Sequence, residues 1–357
     1  MKIKFNPLAA VALTGAVALT IAGCSSEESE DEATASATAS AAEATVEDDA
    51  MEDESMEAEG LPESLTLALV PSDEVDQITT DGEALAQSLS AELGVDVEVF
   101  VPESYSAVVV ALQTGQADIG FLGPIAMVQA EDVAGAEIVL QAVRYGSSEY
   151  VGQWLTSDPG TFCLDDIVTE ADDEGVNYSY CNGATGGSGP AGEEALALVD
   201  PESTIAFVDE SSASGYYFPA TQLAEIQGLD PLTDFSAAMF AGGHPQAVQA
   251  VYDGDAAVGI SYNDARGDLA EEFSDIGEEV VVFAYTSNIP NDGVVVSGDL
   301  SDDAKSQITD GLMAISQTEE GAAALDAVYN IEGLEAANLD AFENTVRPVE
   351  QNFGDQG

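Results

Sequence analysis

The sequence predicts an α/β protein of two lobes, joined by two crossover segments and facing each other across a ligand cleft. Three features of the 357-residue chain carry that prediction. Short strand-like apolar runs alternate with helix-like ones from Leu65 onward, the pattern of a sheet covered by helices on both faces. A second series of the same kind begins near Thr204. The C-terminal part then returns to the style of the first series, so the chain crosses between two lobes twice.

Taken in order, residues 65–70 alternate and stop at Pro71, a first strand. Leu85, Leu89 and Leu93 recur at helical spacing over 81–93, with Gly94 as the stop. A strand over 95–101 is followed by a helix over 105–112 that Ser104 is placed to cap. Residues 119–122 are a short buried strand, and Gly123 and Pro124 lead into a helix whose first turn tolerates the proline. Repeats of this length imply a parallel sheet. The second series has strands over 204–208, 237–240, 257–261 and 280–285, with helices over 216–227, 245–252 and 264–273 between them. A strand over 294–296 and helices over 301–317 and 319–329 complete the first lobe. With crossings near 150–157 and 285–292, lobe one is 61–153 plus 288–357 and lobe two is 154–287. In open α/β sheets, ligands sit beyond the carboxyl ends of strands, and two facing lobes make a cleft that closes by hinging.

The ends of the chain have a different composition. Lys2 and Lys4 precede a small-residue apolar run that ends at Ile21, Ala22, Gly23 and Cys24. A cationic start, a short apolar stretch and small residues before a cysteine form an export signal over 1–23, too short for a membrane span. It resembles the lipobox of bacterial lipoproteins, which implies lipidation of Cys24 and attachment to the outer face of the cell membrane; the alternative is an ordinary secretory signal. Residues 24–60 are rich in Ser, Ala, Thr, Glu, Asp and Met and contain no aromatic residue, a self-repelling tether.

Charge excludes several functions. The chain holds 68 acidic residues and 6 Lys plus Arg, a net charge of −62. With 14 acids in the tether, residues 61–357 still carry 54 against 4 cations. Nucleic-acid binding and docking of a basic face on anionic lipid are therefore excluded. A Debye length of roughly 3 Å near 1 M salt would erase such a field, so the acidity suits a saline exterior. Cys163 and Cys181 are an even pair in an oxidising compartment and are expected to form a disulfide, two free buried thiols being the alternative. One His and two Cys without CxxC spacing do not make a zinc site.

Six segments carry a family resemblance. They are Glu103 to Ser106, Gly115 to Pro124, Gly146 to Tyr150, Ser212 to Tyr216 with Pro219, Phe240 to His244, and Ile289 to Asp292. In this order over residues 65–329 the chain resembles the phosphate/phosphite/phosphonate-binding lipoproteins of ABC importers, which have the type II periplasmic-binding fold. The resemblance implies that Tyr105 and Tyr150 offer phenol hydroxyls to an oxyanion. Ser212, Ala213, Ser214 and Gly215 supply hydroxyls and backbone N–H groups at a helix start, where unpaired donors favour an anion. His244, the only histidine, stands on a turn before a helix, and its protonated form would offset a dianion. Asp292 accepts the O–H of a monoprotonated anion and repels fully ionised sulfate. Without the resemblance these residues read as a Ser-rich cap, scattered aromatics, a structural histidine and a turn aspartate.

Two departures bear on the ligand. Ala213 replaces a hydroxyl residue common in the family. Where relatives that bind aminoalkyl phosphonates carry a Glu, the nearest position is Asn263, which has no charge for an ammonium; Asp264 takes that place if the register is one residue off. Arg144 either faces the cleft or pairs with a carboxylate, and Arg266, Lys305 and Arg347 are structural or surface residues. Cys163 to Cys181 and the Gly-rich run after it form an insertion. Gly187, Gly189 and Gly192 match a dinucleotide fingerprint by spacing alone, but Pro190 inside it and the surrounding glycines indicate a loop.

The expectation is a monomeric solute-binding protein, anchored outside the cytoplasm, without a cofactor, that delivers a small phosphorus oxyanion to an ABC permease. A sensor or surface lipoprotein on the same fold is the alternative. An extracellular phosphatase is disfavoured because one His, no HExxH and no GxSxG leave little catalytic equipment.

Overall fold

In the computed structural model, residues 60–172, 175–187, 189–230 and 233–353 are described; the expected signal segment, Cys24 and the tether lie outside them. The chain opens with β1 (Ser64–Leu69), the helix Val75–Leu93 and β2 (Asp96–Phe100). The helix Tyr105–Gln113, β3 (Ile119–Leu122), the helix Pro124–Ala134 and β4 (Glu137–Val143) follow. β1 alternates Leu65, Leu67 and Leu69 against the helix Val75–Leu93 side and Ala68 against the other, and both sets are buried, which is why the strand is covered on two faces. The first helix begins six residues before the leucine pattern shows it, because of residues 75–80 only Ile78 is buried.

A short β5 (Glu149–Tyr150) precedes the second sheet. That sheet contains β6 (Gly152–Thr156), β7 (Val168–Ala171), β8 (Asn177–Tyr180), β9 (Ile205–Phe207), β10 (Met239–Phe240), β11 (Val258–Tyr262) and β12 (Val281–Tyr285). β13 (Ile289–Pro290) pairs antiparallel with β5. β14 (Gly293–Val296) and β15 (Gly333–Ala336) return to the first sheet. The orders are β15-β4-β14-β3-β1-β2 and β10-β9-β11-β6-β12-β8-β7. The β5/β13 ribbon thus lies in the two crossovers, and the second sheet takes up the chain at Gly152.

Three expectations about elements are corrected. The sheets are mixed: β1 runs parallel to β2 and β3, but β14, arriving from the other lobe, lies antiparallel between β3 and β4. The segment 152–156, expected as a crossing, is the strand β6, antiparallel to both β11 and β12; all five residues are buried, Gln153 and Thr156 included, which hides the strand pattern. The helix expected over 264–273 is only a 3-10 turn, Gly267–Leu269. Here Arg266, with no exposed surface, draws the chain inward. Its guanidinium pairs with Asp264 and donates to the carbonyls of Ser179, Gly277 and Val280, while its carbon skeleton ends between the rings of Tyr178 and Tyr180. A buried charge is tolerated only with such a full set of partners.

The Cys163–Cys181 disulfide forms, with Cα atoms 5.5 Å apart, and ties the β7/β8 hairpin to the body of the second lobe. The Gly-rich run after it is partly packed rather than free: a Cβ on Gly192 would stand 2.1 Å from the Phe283 carbonyl oxygen. Beyond β15 the C-terminal segment crosses between lobes. Arg347 pairs with Glu131, Asp132 and Glu343, and Phe353 packs 4.3 Å from the Tyr217 ring. Among the described residues no helix is long and apolar enough to cross a membrane.

Candidate functional site

Three helix starts carry candidate residues. Tyr105 opens the helix Tyr105–Gln113 behind its N-cap Ser104, whose hydroxyl accepts from Ala107 N–H. Ser212 caps a single π turn, Ala213–Tyr217, that runs directly into the helix Phe218–Gln227; its hydroxyl accepts from Gly215 N–H at 3.1 Å. His244 opens the helix His244–Tyr252 after the extended Gly243. A helix start leaves backbone N–H groups without partners in its own ladder; here Ala107 N–H is taken by Ser104 Oγ, Gly215 N–H by Ser212 Oγ and His244 N–H by the Ser72 carbonyl. Gly215 is dictated by packing: a Cβ there would lie 2.4 Å from the Val208 side chain, where the Gly215 carbonyl accepts from Val208 N–H.

The remaining candidates come from the crossovers. Ser214 lies close enough to the Tyr150 hydroxyl to favour its ionised form slightly, so a crossover residue faces the π turn. Asp292 follows β13, and its backbone carbonyl accepts from Ala142 N–H at 2.9 Å. Its carboxylate acts on Tyr105, Tyr150, Tyr329 and His244 alike, so these side chains share one electrostatic environment. The structure therefore brings Tyr105, Tyr150, the Ser212–Gly215 segment, His244 and Asp292 together.

Burial sets the protonation of this cluster. It pushes the phenols of Tyr105, Tyr150 and Tyr329 upward, reinforced at Tyr105 by Asp209 and then Asp292, and at the other two by Asp292; all three remain O–H donors at neutral pH. The expected protonated His244 is corrected: burial pushes it down to about 4, against the smaller upward pull of Asp292. Tyr262 N–H donates to its Nδ1 at 3.4 Å, and Ser261 Oγ lies 2.8 Å from the same nitrogen. With Nδ1 accepting, the proton resides on Nε2, and the imidazole is a neutral donor.

Asp292 is not a bare charge either. Arg144 Nη2 lies 2.8 Å from its Oδ2, which resolves the two readings of Arg144: it pairs with a carboxylate, and that carboxylate belongs to the cluster. Asp264 is committed elsewhere, accepting from Arg266, from Gln153 Nε2 at 3.1 Å and from Tyr180 O–H at 3.2 Å. Asn263 accepts from the Tyr285 hydroxyl at 3.2 Å. Two participants had no signal in the sequence. Asp209 accepts from Ser211 N–H at 2.8 Å, and its charge helps push the Tyr105 phenol up. Tyr329 donates to the Val70 carbonyl at 2.8 Å. Only the fold brings either to this place.

The lobes are closed on one another. His244 N–H donates to the Ser72 carbonyl at 3.2 Å, Gln246 Nε2 to Glu74 at 2.8 Å, and Gln129 Nε2 to the Tyr217 hydroxyl at 3.0 Å. Two hinged lobes shut over helix starts and neutral hydroxyls define the class of two-lobed binding proteins. Residues 67–342 match the family described as ABC transporter, phosphonate, periplasmic substrate-binding protein, and the chain belongs to that family.

Among curated relatives, the chain is 29% identical over 219 residues to the Phosphate-import protein PhnD of Mycolicibacterium smegmatis, a match covering 59% of this chain and 58% of that protein. It is 23% identical over 273 residues to the Phosphonates-binding periplasmic protein of Escherichia coli, covering 75% and 71%. Its fold is similar to that of a binding-protein component of an ABC phosphonate transporter from Pseudomonas aeruginosa, with TM-score 0.64 at 18% identity, covering 80% of this chain and 85% of the other. It is equally similar to PhnD1 from Prochlorococcus marinus in complex with methylphosphonate, with TM-score 0.64 at 17% identity, covering 80% and 97%.

Proposed function

We propose that this protein captures phosphate, phosphite or a small alkylphosphonate outside the cytoplasm and delivers it to the permease of an ABC importer. The observation that carries this reading is the convergence of three helix starts, with Tyr105, Tyr150, Ser212, Ser214 and His244, around the Asp292 carboxylate in a closed cleft. Neutral N–H and O–H donors take the oxyanion, and Asp292 accepts the proton that a singly protonated phosphorus acid still carries. Relatives named for phosphate import and phosphonate binding support a phosphorus oxyanion as the ligand class. An aminoalkyl phosphonate fits poorly, because Asn263 carries no charge and Asp264 is spent on Arg266.

No bond of the ligand needs to change: binding stabilises closure, and closure presents both lobes to the permease as one surface. Anchoring through Cys24, the acidic tether and a monomeric state belong to the same proposal, and the acidic surface fits a saline exterior. Isothermal titration of the protein in high salt with phosphate, phosphite and methylphosphonate tests it; heat from none of them overturns it. Ser214→Leu places a bulky side chain at a residue only 2% exposed and beside the Tyr150 hydroxyl, and the expected loss is about a hundredfold or more in affinity. Unchanged affinity in that variant would remove the π turn from the site.

A further inference from the structure

We propose that Arg144 is the positioning residue that sets which ligand charge this site accepts: it holds Asp292 by one oxygen and neutralises it, so that a doubly charged phosphorus oxyanion is admitted alongside a singly charged one. This rests on the oxyanion reading above and adds a charge rule to it.

The chain has four cations among the described residues, and three are spent away from the cluster. Arg266 is buried against Asp264, Lys305 lies 3.6 Å from Glu137, and Arg347 joins Glu131, Asp132 and Glu343. Arg144 alone faces the candidate site. Its guanidinium is fixed at two points, Nη2 to Asp292 Oδ2 at 2.8 Å and Nε to the Tyr329 carbonyl at 2.7 Å. Its backbone is fixed as well, by a reciprocal pair of 2.9 Å bonds with Ser147. Asp292 is held from the other crossover, where Asn291 Nδ2 donates to the carbonyls of Ala142 and Ser147 at 2.9 Å. The side chains of Arg144 and Asp292 are 17% and 32% exposed, so the pair is partly withdrawn from water and each charge is felt more strongly than at an open surface.

The titratable groups around this pair are Tyr105 and Tyr329 from lobe-one helices, Tyr150 from β5, and His244 and Tyr262 from lobe two, with Asp209 acting on Tyr105 and with Asp268 and Asp73 acting on Tyr262. Burial keeps the phenols protonated, and it keeps His244 neutral above about pH 4. Asp209 accepts from Ser211 N–H, a contact that involves neither Arg144 nor Asp292. Asp268, which accepts from the Tyr262 hydroxyl and which burial pushes up to about 6, changes charge near the same pH as the ligand; it is present in wild type and in every variant, so its effect is common to both sides of their affinity ratio. Asp292 without its guanidinium would repel the second charge as the ligand's second ionisation proceeds around neutrality. With Arg144 present, the carboxylate remains an acceptor and the pair adds no net charge.

The test is titration calorimetry of the full chain with inorganic phosphate at constant high salt, from below to well above the ligand's second ionisation, in wild type, Arg144→Gln, Arg144→Lys and Asp292→Asn. The ratio of the Arg144→Gln to the wild-type dissociation constant should grow about tenfold or more across that ionisation. Arg144→Lys should restore a wild-type pH profile at weaker overall affinity, and Asp292→Asn should tilt the profile the opposite way. A ratio independent of pH, or a lysine variant that tracks the glutamine variant, overturns the proposal. Should Arg144→Gln not fold, the lysine and asparagine variants decide by the same slopes. Absence of any phosphate, phosphite or methylphosphonate binding by wild type instead overturns the oxyanion reading itself, and so the two failures are distinct.

Discussion

His244 carries opposite consequences for binding and for stability. As a neutral donor on Nε2 it contributes the same hydrogen bond from pH 8 down to about 5, because burial holds its pKa at about 4. The unfolded chain, however, takes a proton on this ring near its ordinary value of about 6.5. Stability is therefore lost as pH falls from about 6.5 to about 4, and the full difference is on the order of 3 kcal/mol. His244→Gln retains an N–H donor and has no such titration. Its denaturation midpoint should fall less between pH 6.5 and 4 than that of wild type, followed by circular dichroism, with oxyanion affinity retained within about tenfold. An acid limb identical to wild type would show that the ring does titrate freely. The histidine, the phenols and Asp292 were recognisable as chain positions because their neighbours form ordered segments. Their charge states were not, since burial and the Arg144 contact arise only when residues separated by more than a hundred positions meet.

At the scale of elements, the apolar patterns located β1, β3 and the helix Glu319–Tyr329 within a residue of their ends, because each buries a regular face. They failed where polar residues are buried, as in β6, and where one charge reorganises a segment, as at Arg266. The Ser212–Gly215 segment joins both cases: a capping serine is legible, whereas the single π turn that follows depends on packing against Val208. Gly215→Ala should displace that turn by the overlap of its Cβ with Val208 and weaken ligand binding more than it lowers the melting temperature. The reverse order would make the glycine a folding requirement only. The disulfide closes a separation of 18 residues, and its removal in a Cys163→Ser, Cys181→Ser pair should cost about 3 kcal/mol. Because Cys163 and Cys181 lie away from the cluster, oxyanion affinity measured well below the new melting temperature should stay within about threefold of wild type.

For the whole molecule, closure is the property that matters. One apolar cluster runs from Ile125 and Met127 of lobe one to Phe207 and Tyr217 of lobe two, joined by Phe353 of the C-terminal segment. The bond from Gln129 to the Tyr217 hydroxyl crosses the same seam. Gln129→Ala should shift the equilibrium toward the open form and weaken affinity about fivefold, chiefly through faster ligand release in stopped-flow measurements. A change confined to association would contradict this. The net charge of −62 acts on the other rate: lowering salt should slow capture of an anion, because the field then reaches farther.

The amino-acid sequence by itself determined the α/β class, the return of the chain to its first lobe and the family, all of which follow from local periodicity and short ordered segments. Tertiary structure alone decided the antiparallel place of β14, the pairing of Arg144 with Asp292, the neutral histidine and the contacts that hold the lobes shut. Each depends on desolvation and on charges brought close by distant parts of the chain, which local pattern does not encode.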